Sequence, residues 1–481
     1  MGLAQAIATI QVYASNHRLF NQMAAVAAAG FLPVPNQGIM PRLLEVETAF
    51  WGGLLFTLST GAGLALASVA AAWLWPRGAS RRRAAALMAF GLQAAALLLM
   101  NSRGFDPWVS LYFLLIPPPV FWMTLRFCER TDRRSDRQIL AWRALPLVAI
   151  ALAWSAQYDS HLFIDLRDHL LMSSPAGREV STFYYRYTLY PAEAFKSLDQ
   201  RLIKTIAWSG PEAEARHPGL RRELIRTDYL PVENVPAVDL GLDIRAERLV
   251  FTRNAEPLWE VDAERFFADP RAVMSELSKA DDRWSLFRAF TYDGVLLAFP
   301  IALYLLLFAL LQLMFGVFAG ERKADALAAA GCLLIGLGLL FIFHFSREAA
   351  PPPDEWGAAL HSPRWQKRVA ALREIHDRKG DLFAISDYTP PLRSPYPQER
   401  YWLARALGTS PNPEASAHLI RLLDDPQLNV QTMALEGLAQ RRDRSAANQI
   451  LRRLKNSQEW YFQVYAYRAL RALGWNQTVS R

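Results

Sequence analysis

Long apolar runs with almost no charge alternate along this chain with stretches rich in arginine, aspartate and glutamate. A helix needs about 20 apolar residues to cross the hydrocarbon of a bilayer. Five runs are long enough and a sixth is marginal, so the pattern predicts a mainly helical, polytopic membrane protein. The expected spans are Phe50–Trp75, Ala84–Met100, Trp108–Phe127, Ile139–Tyr158, Val295–Phe318 and Ala326–Phe345.

The fourth expected span is the weakest because its uninterrupted apolar part, Ala144–Ala156, is short. It crosses only if Arg143 snorkels to one interface while Trp154 and Tyr158 lie in the other. If it crosses, three connectors rich in basic residues lie on one side, and the positive-inside rule makes that side the cytoplasm. These connectors contain Arg77 with Arg81–Arg83, Arg126–Arg143, and Arg322–Lys323. Both soluble parts of the chain are then expected on the extracytoplasmic side.

This alternation divides the chain into six expected parts. They are an N-terminal helical or surface-lying segment (1–47), four spans (48–158), an extracytoplasmic domain (159–293), two spans (294–345), a proline-rich linker (346–361) and a repeat domain (362–481). Each soluble domain exceeds 100 residues, a size that supports a core of its own. The polar stretches are therefore predicted to be folded domains rather than loops.

The extracytoplasmic domain is predicted to be α+β. Residues 159–230 are expected to be mainly helical, because their apolar positions recur on one helical face. The stretches "VDLGLDI", "RLVFTR" and "PLWEVD" alternate as strands do, with a hairpin turn at "NAEP" between the last two. The stretch "DPRAVMSELSKA" then predicts a helix, since Asp269 stands at its N-cap and Pro270 at its first position.

The stretch "FYYRYTLYPAEAFK", residues 183–196, concentrates tyrosine shortly after the fourth expected span. On a helix, Phe183, Tyr187 and Tyr190 share one face. Tyrosine suits a site with one apolar and one wet side, because its ring is apolar and its hydroxyl is polar. Three interpretations stay open: domain core or docking onto the spans, a belt at the membrane surface, and a ligand pocket.

A pattern recurs after the linker about every 31 to 35 residues, in "PQERYWLARALG", "PQLNVQTMALEGLA" and "SQEWYFQVYAYRALRALG". Second amphipathic helices are predicted between them, at "EASAHLIRLLDD" and "SAANQILRRLKN". Paired helices at such a period are typical of an α-solenoid. The pattern resembles HEAT-like repeats of the phycobilisome-lyase type. The resemblance implies a solenoid that binds other proteins, and it does not imply lyase activity.

Two groups of residues in the repeats are candidate contacts with a partner protein. The first lies on the second helices, which usually line the concave side of such arrays; its alternative interpretation is an ordinary solvated face. The second is an aromatic group in the last helix, where an exposed cluster would mark an interface. The candidates are Arg421, Asn448, Arg452, Trp460, Tyr461 and Tyr465.

Composition and charge exclude several functions. The net charge is +8, with 53 basic and 45 acidic residues, and the N-terminal arginine excess lies beside apolar runs. It is therefore a topology signal, and nucleic acid is not an expected partner. The two cysteines, Cys128 and Cys332, form no CxxC pattern and no Cys/His ligand spacing. No metal and no other cofactor is expected.

These features favour a scaffold or assembly protein of a bacterial inner membrane, without enzymatic activity, that docks a membrane or extracytoplasmic protein through its repeats. The alternative is a membrane enzyme acting on a lipid-linked or periplasmic substrate. Its pocket would lie between the spans and the α+β domain, where paired carboxylates could perform acid–base chemistry. The pocket candidates are Asp165, Asp168, His169, Arg186 and Tyr187. A transporter is disfavoured, because no acidic or basic residue is expected in the middle of a span apart from His344, which is close to an end.

Overall fold

The computed structural model describes residues 1–75, 79–130, 133–207, 216–233, 238–245, 247–385 and 391–478. Several connector residues lie outside this description, namely Arg77 and the side chains of Arg81, Arg82, Cys128, Arg130, Arg133, Arg134, Arg137 and Arg322. The N-terminal part consists of α1 (Gly2–Ala28), α2 (Val46–Phe56), α3 (Ala62–Trp73), α4 (Ala79–Met100), α5 (Pro107–Leu115), α6 (Pro117–Arg130) and α7 (Arg133–Ser155). A π-helical turn, Thr57–Gly61, makes α2 and α3 one continuous rod.

An α+β domain follows. It contains α8 (Leu162–Leu166), α9 (Pro175–Tyr187), α10 (Leu189–Glu193), β1 (Lys204–Ala207), α11 (Leu220–Arg226), β2 (Tyr229–Val232), β3 (Leu240–Arg245), β4 (Arg248–Arg253), β5 (Glu256–Asp262), α12 (Ala263–Ala268) and α13 (Pro270–Asp281). A π-helical turn, Arg167–Leu171, continues α8. The chain then returns to apolar helices with α14 (Ser285–Asp293), α15 (Phe299–Ala319) and α16 (Glu321–Ser346).

The sheet has the strand order β2-β1-β3-β4-β5, in which β1 is parallel to β2 and β3 and the last three strands are antiparallel. The three predicted strands appear as β3, β4 and β5. Between β4 and β5, Asn254 and Ala255 have positive φ angles of 51° and 68°, which suits a two-residue hairpin turn. Asp269 caps α13 as expected, accepting a hydrogen bond from the Ala272 nitrogen at 3.0 Å.

The described part of residues 159–230 contains more helix than strand, but β1 and the start of β2 are strands that the prediction did not include. Each of these strands has only four residues, and their side chains are almost all buried. A short strand buried on both faces shows no alternation of polar and apolar positions. The periodicity of the sequence therefore could not reveal them.

Among the described residues, five helical stretches are long and apolar enough to cross a membrane: Val46–Trp73, Arg83–Met100, Pro107–Phe127, Ser285–Ala319 and Lys323–Ser346. The expected fourth span is a shorter apolar stretch, Arg143–Ser155, at the end of α7. The charged first part of α7 occupies the rest of that helix. Length and composition alone thus support five spans rather than the six expected.

Helix α7 nevertheless runs parallel to α16 along its apolar part. The Trp154 ring lies 5.3 Å from the Phe343 ring, and its Nε1 donates to the Gly336 carbonyl at 3.3 Å. Beyond the helix end, Asp159 accepts a hydrogen bond from Arg347 at 2.7 Å. The contacts follow in the same order along both helices, so α7 and α16 run in the same direction and end at the same level.

The N-terminal segment forms a helix that packs against the first apolar helix instead of lying alone. A Cβ atom added to Gly61 would lie 2.6 Å from the Cβ of Ala4, so only glycine permits this approach. A second close contact joins the apolar stretches Val46–Trp73 and Ser285–Ala319, since a Cβ at Gly294 would lie 2.8 Å from the Ser59 backbone. Helix α1 therefore belongs to the same bundle as the spans.

The C-terminal part is a stack of helix pairs. It contains α17 (Trp356–Leu360), α18 (Trp365–Asp377), α19 (Pro397–Thr409), α20 (Glu414–Leu422), α21 (Leu428–Arg441), α22 (Ala447–Asn456) and α23 (Trp460–Ala472). The first helices of the predicted repeats are α19, α21 and α23, and the second helices are α20 and α22. The segment expected as a proline-rich linker includes α17, whose Leu360 is buried.

The main hydrophobic core crosses the boundaries between these parts. One continuous cluster joins residues of α1, the first apolar helix, α10 and the repeat helices. A second cluster lies between the sheet and α13, and a third lies among α7, α15 and α16. The repeat domain is therefore docked onto the rest of its own chain.

Candidate partner-binding surface

The repeat helices pack as their sequence pattern predicts. Of the leucine, isoleucine and methionine positions at helical spacing, most are fully buried, including Leu403, Leu435 and Leu470. A charged pair also lies inside the stack, where Arg400 donates to both oxygens of Asp425 at 2.6 and 3.0 Å. This pair joins the first repeat helix to the turn that precedes the next pair.

The first helix of the repeats, α19, faces the α+β domain. Its Trp402 donates from Nε1 to the Asp168 carboxylate at 2.9 Å, and Gln398 donates to the Asp168 carbonyl at 2.9 Å. The Arg167 guanidinium lies 3.8 Å from the centre of the Tyr401 ring. Because nearly all of α19 is buried, including polar residues, this helix has no free face for another protein.

Asp165 connects three parts of the molecule. The side chain is 4% exposed, and it pairs with Arg347 at 3.0 Å and with Arg373 at 2.9 Å. Arg347 follows the last apolar helix and Arg373 belongs to α18. One carboxylate on α8 thus fastens the start of the linker and α18 of the repeat domain to the α+β domain.

His169 lies beside these carboxylates, between the last apolar helix and α18. Its ring stacks on Trp365 at 5.5 Å and meets the edge of Phe343 at 6.4 Å. Burial lowers the pKa of His169, although Asp168 and Asp165 act in the opposite direction. A neutral, stacked imidazole suits this contact between segments.

The tyrosine-rich stretch bridges the first apolar helix and the last repeat helix. On one side, Trp51 contacts Phe183 at 5.5 Å. On the other, Tyr190 meets Trp460 edge to face at 5.0 Å, and Tyr185 meets Tyr461 at 4.8 Å. Of the three interpretations left open, this geometry matches docking onto the spans.

The segment between α1 and α2 fastens the other end of the repeat domain. The Asn36 amide donates to the carbonyls of Leu454, Lys455 and Ser457 at 3.0 to 3.1 Å, and so caps the C-terminus of α22. The Gln477 side chain exchanges two hydrogen bonds with the Leu32 backbone, at 3.0 and 2.8 Å.

Each second helix of the repeats has one side that is exposed to solvent. Arg421 on α20 and both Asn448 and Arg452 on α22 are exposed to solvent. Arg453, on the same helix, pairs with Asp424 at 2.7 Å. Exposed basic residues continue around this face, namely Arg442, Arg444 and Lys455. This surface, called the outer face below, exposes more basic residues than acidic ones, which are Glu414 and Asp424, and it therefore has an excess of positive charge.

The six candidate contacts in the repeats divide into two sets. Arg421, Asn448 and Arg452 share the exposed outer face. In contrast, Trp460 is 5% exposed and contacts the tyrosine-rich stretch of the same chain, as does the partly buried Tyr461. Tyr465 stacks on Tyr461 at 5.2 Å. The aromatic excess in α23 is thus used inside the molecule.

The pocket candidates are also divided. Asp165, Asp168 and His169 lie together in the junction between α8 and the repeats, and both carboxylates are held by arginine or tryptophan donors. Arg186 is exposed, and Tyr187 lies 6.4 Å from Trp51. The structure therefore does not bring the five residues to one cavity.

Sequence reasoning missed the residues of α19 and of the N-terminal segment that hold the repeat domain. The signal in α19 was its excess of aromatic and amide side chains, "PQERYW", beyond what one helix needs for its core face. Asn36 offered no signal, because a single asparagine among prolines is ordinary in a turn. Its partners lie more than 400 positions away in the chain.

A family model described as HEAT repeats matches residues 385–474. This range holds the helices α19 to α23, and the match confirms the HEAT-like repeats expected from the sequence. No curated protein and no solved structure matches the chain. HEAT arrays present extended surfaces to other proteins, so the repeats indicate a role in protein–protein interaction.

Proposed function

We propose that this chain is an inner-membrane scaffold of a bacterium, and that it holds a partner protein on the outer face of its repeat domain. The partner contacts are Arg421, Asn448 and Arg452. The face carries a positive charge excess, so the partner offers a complementary acidic surface. The partner is a membrane or extracytoplasmic protein.

The observation that carries this proposal is the contrast between the two sides of the solenoid. The first helices α19 and α23 are buried against the α+β domain and the N-terminal segment, whereas Arg421, Asn448 and Arg452 of the second helices are exposed to solvent. An interaction module that uses one side for attachment to its own chain has the other side left for a partner.

The proposed arrangement has six membrane crossings, with both soluble domains on the periplasmic side. Support comes from α7, whose apolar part accompanies α16 in the same direction to the same level. The basic residues before α7 and between the last two spans then lie together on the cytoplasmic side, as the positive-inside rule requires. Reporter fusions after residues 290 and 481 test the arrangement, and a cytoplasmic signal at either fusion contradicts it.

Crosslinking in intact membranes tests the partner surface. A photoreactive residue at position 448 should give a defined crosslinked product with another protein. The double variant Arg421→Glu, Arg452→Glu should lose that product, because it reverses the charge of the face. Arg222→Glu is the matched control, since Arg222 is 82% exposed on the α+β domain. Equal crosslinking in the double variant and the control would refute the assignment.

A further inference from the structure

A cleft of about 460 Å³ opens where the edge strand β2 meets the last repeat helix. Its walls come from the start of β1, the turn before β2, α13 and the end of α23. The volume lies within the range of small-molecule sites, about 300 to 1,000 Å³. The cleft shares no residue with the outer face of the repeats or with the Asp165 contacts.

Lys204 forms one side of the cleft. The residue is 7% exposed, and its ammonium has a single long hydrogen bond to the Arg201 carbonyl, at 3.5 Å. It also lies 4.8 Å from the centre of the Tyr229 ring. An ammonium has three donors, and burial of such a charge is costly unless it is paired. Lys204 therefore has donors to offer to an anion.

Tyr229 supplies a second buried donor in the same cleft. The residue is 2% exposed, and its hydroxyl has no hydrogen-bond partner in the described part of the chain. A buried polar group without a partner costs about 1 to 3 kcal/mol. Burial raises the pKa of this hydroxyl, which keeps it protonated and able to donate.

The charges that line the cleft are not balanced. Arg471 forms an ion pair with Asp228 at 3.2 Å, and Arg226 forms one with Glu223 at 2.7 Å. Arg271, at the rim, forms no ion pair with any residue that the structure describes. Asp199 accepts a hydrogen bond from Ser275 at 3.2 Å. Two cationic side chains of the cleft, Lys204 and Arg271, thus form no ion pair with a described residue, and one acidic side chain, Asp199, has no cationic partner. The cleft therefore has more free positive charge than negative charge.

The cleft is held in shape before any ligand arrives. Asp228 has a φ angle of 63°, in the left-handed region that non-glycine residues seldom adopt. The Asp228 carbonyl accepts a hydrogen bond from the backbone nitrogen of Lys204 at 2.9 Å, and the Asp228 carboxylate accepts one from the Tyr467 hydroxyl at 2.5 Å. Contacts from two domains therefore fix the turn that forms one wall.

We propose that this cleft binds a small, soluble phosphate-bearing anion. Lys204 and Tyr229 donate to the phosphate oxygens from inside the cleft, and Arg271 donates from the rim. A phosphate group offers several strong acceptor oxygens, and charge-assisted hydrogen bonds to lysine and arginine are the strongest that it can form. Because the end of α23 forms part of the wall, the anion stabilises the contact between the α+β domain and the repeats.

The position of the cleft favours a soluble anion over a lipid headgroup. Helix α1 passes Gly52 of the first apolar helix near Val12, and ten residues later Gln22 donates to Asp239 at 3.0 Å. Ten helical residues extend about 15 Å. Gly52 lies six residues, about 9 Å, inside the first apolar helix, which begins at Val46. Asp239 is bonded to Thr205, the neighbour of Lys204, so this side of the cleft lies about 6 Å outside the start of the first apolar helix.

Calorimetric titration of inorganic phosphate into the full chain in phosphatidylcholine nanodiscs tests the proposal. Saturable binding is expected, weakened at least tenfold by Lys204→Met and severalfold by Arg271→Gln and by Tyr229→Phe. Arg222→Gln, at an exposed site outside the cleft, should bind as the unchanged chain does. Arg271 is exposed, so its variant remains folded and decides the case if Lys204→Met does not fold.

Two results would overturn the proposal. One is the absence of saturable phosphate binding in the unchanged chain, or binding that Arg271→Gln leaves intact. The other is binding that appears only in nanodiscs containing phosphatidylglycerol, with no response to inorganic phosphate, which would make the ligand a lipid headgroup. Neither result bears on the outer face of the repeats, which crosslinking tests independently.

Discussion

Removal of the Asp165 charge should loosen the attachment of the repeat domain. In Asp165→Asn, the side chain keeps its shape but no longer neutralises Arg347 and Arg373. Breaking a fully buried ion pair from one side costs about 3 to 5 kcal/mol. Both arginines retain some exposure, with 29% and 22% of their side chains accessible, so we expect about 2 to 4 kcal/mol.

This cost should appear as more frequent opening of the junction. Each 1.4 kcal/mol is a factor of ten in an equilibrium, so undocking should increase roughly 30- to 900-fold. Native-state proteolysis of the full chain in nanodiscs measures the opening, because cleavage of the repeat domain follows the population of the open form when protease is dilute.

Asp159→Asn is the matched control for this prediction. Asp159 pairs with the same Arg347, at 2.7 Å, but 39% of its side chain is exposed. Exposed pairs contribute at most about 1 kcal/mol, so its cleavage rate should increase less than about fivefold. Equal rates for the two variants would show that the buried carboxylate does not hold the junction.

Three further predictions concern the other contacts of the core. Trp460→Ala should destabilise the docked state by about 3 to 5 kcal/mol, because it removes the ring that packs on Tyr190, and the same proteolysis measures it. Asn36→Ala should cost about 2 to 3 kcal/mol, since three carbonyls at the end of α22 lose their donor, and hydrogen exchange of that helix end should accelerate. In Asp239→Asn, the free energy of unfolding should depend less on pH in the acid range than it does in the unchanged chain. Burial raises the pKa of Asp239, but Arg201 and Arg18 outweigh it and the net pKa is lowered, so its contribution is present above pH about 4 and disappears as the pH falls through the folded-state value.

Each of these predictions has an outcome that contradicts it. Cleavage of Trp460→Ala at the unchanged rate would mean that α23 is not docked through its aromatic residues. If hydrogen exchange at the end of α22 were equally fast in Asn36→Ala and in the unchanged chain, Asn36 would not cap this helix. For Asp239, unfolding free energies of the variant and the unchanged chain that run parallel from pH 3 to pH 7 would show that the carboxylate gains nothing from its arginines.

Local pattern determined the large elements of this protein. The long apolar runs predicted helices, since a chain segment that is buried away from water must satisfy its own backbone hydrogen bonds. The repeat helices follow for a similar reason, because each amphipathic helix needs only its neighbours in the stack. The hairpin of β4 and β5 was predictable from its alternation and its turn. All these features depend on residues close together in the chain.

Only the tertiary structure decided which faces of the soluble domains are free. The strands β1 and β2 exist because the sheet buries them, and no periodicity marks them. Asp168 meets Trp402, and Asn36 meets α22, across separations of 234 and more than 400 positions. Such pairs depend on how whole domains meet, and a candidate residue such as Trp460 has the same sequence signal whether it binds a partner or its own chain. The separation of covered from uncovered faces is therefore a property of the assembled core, not of any segment.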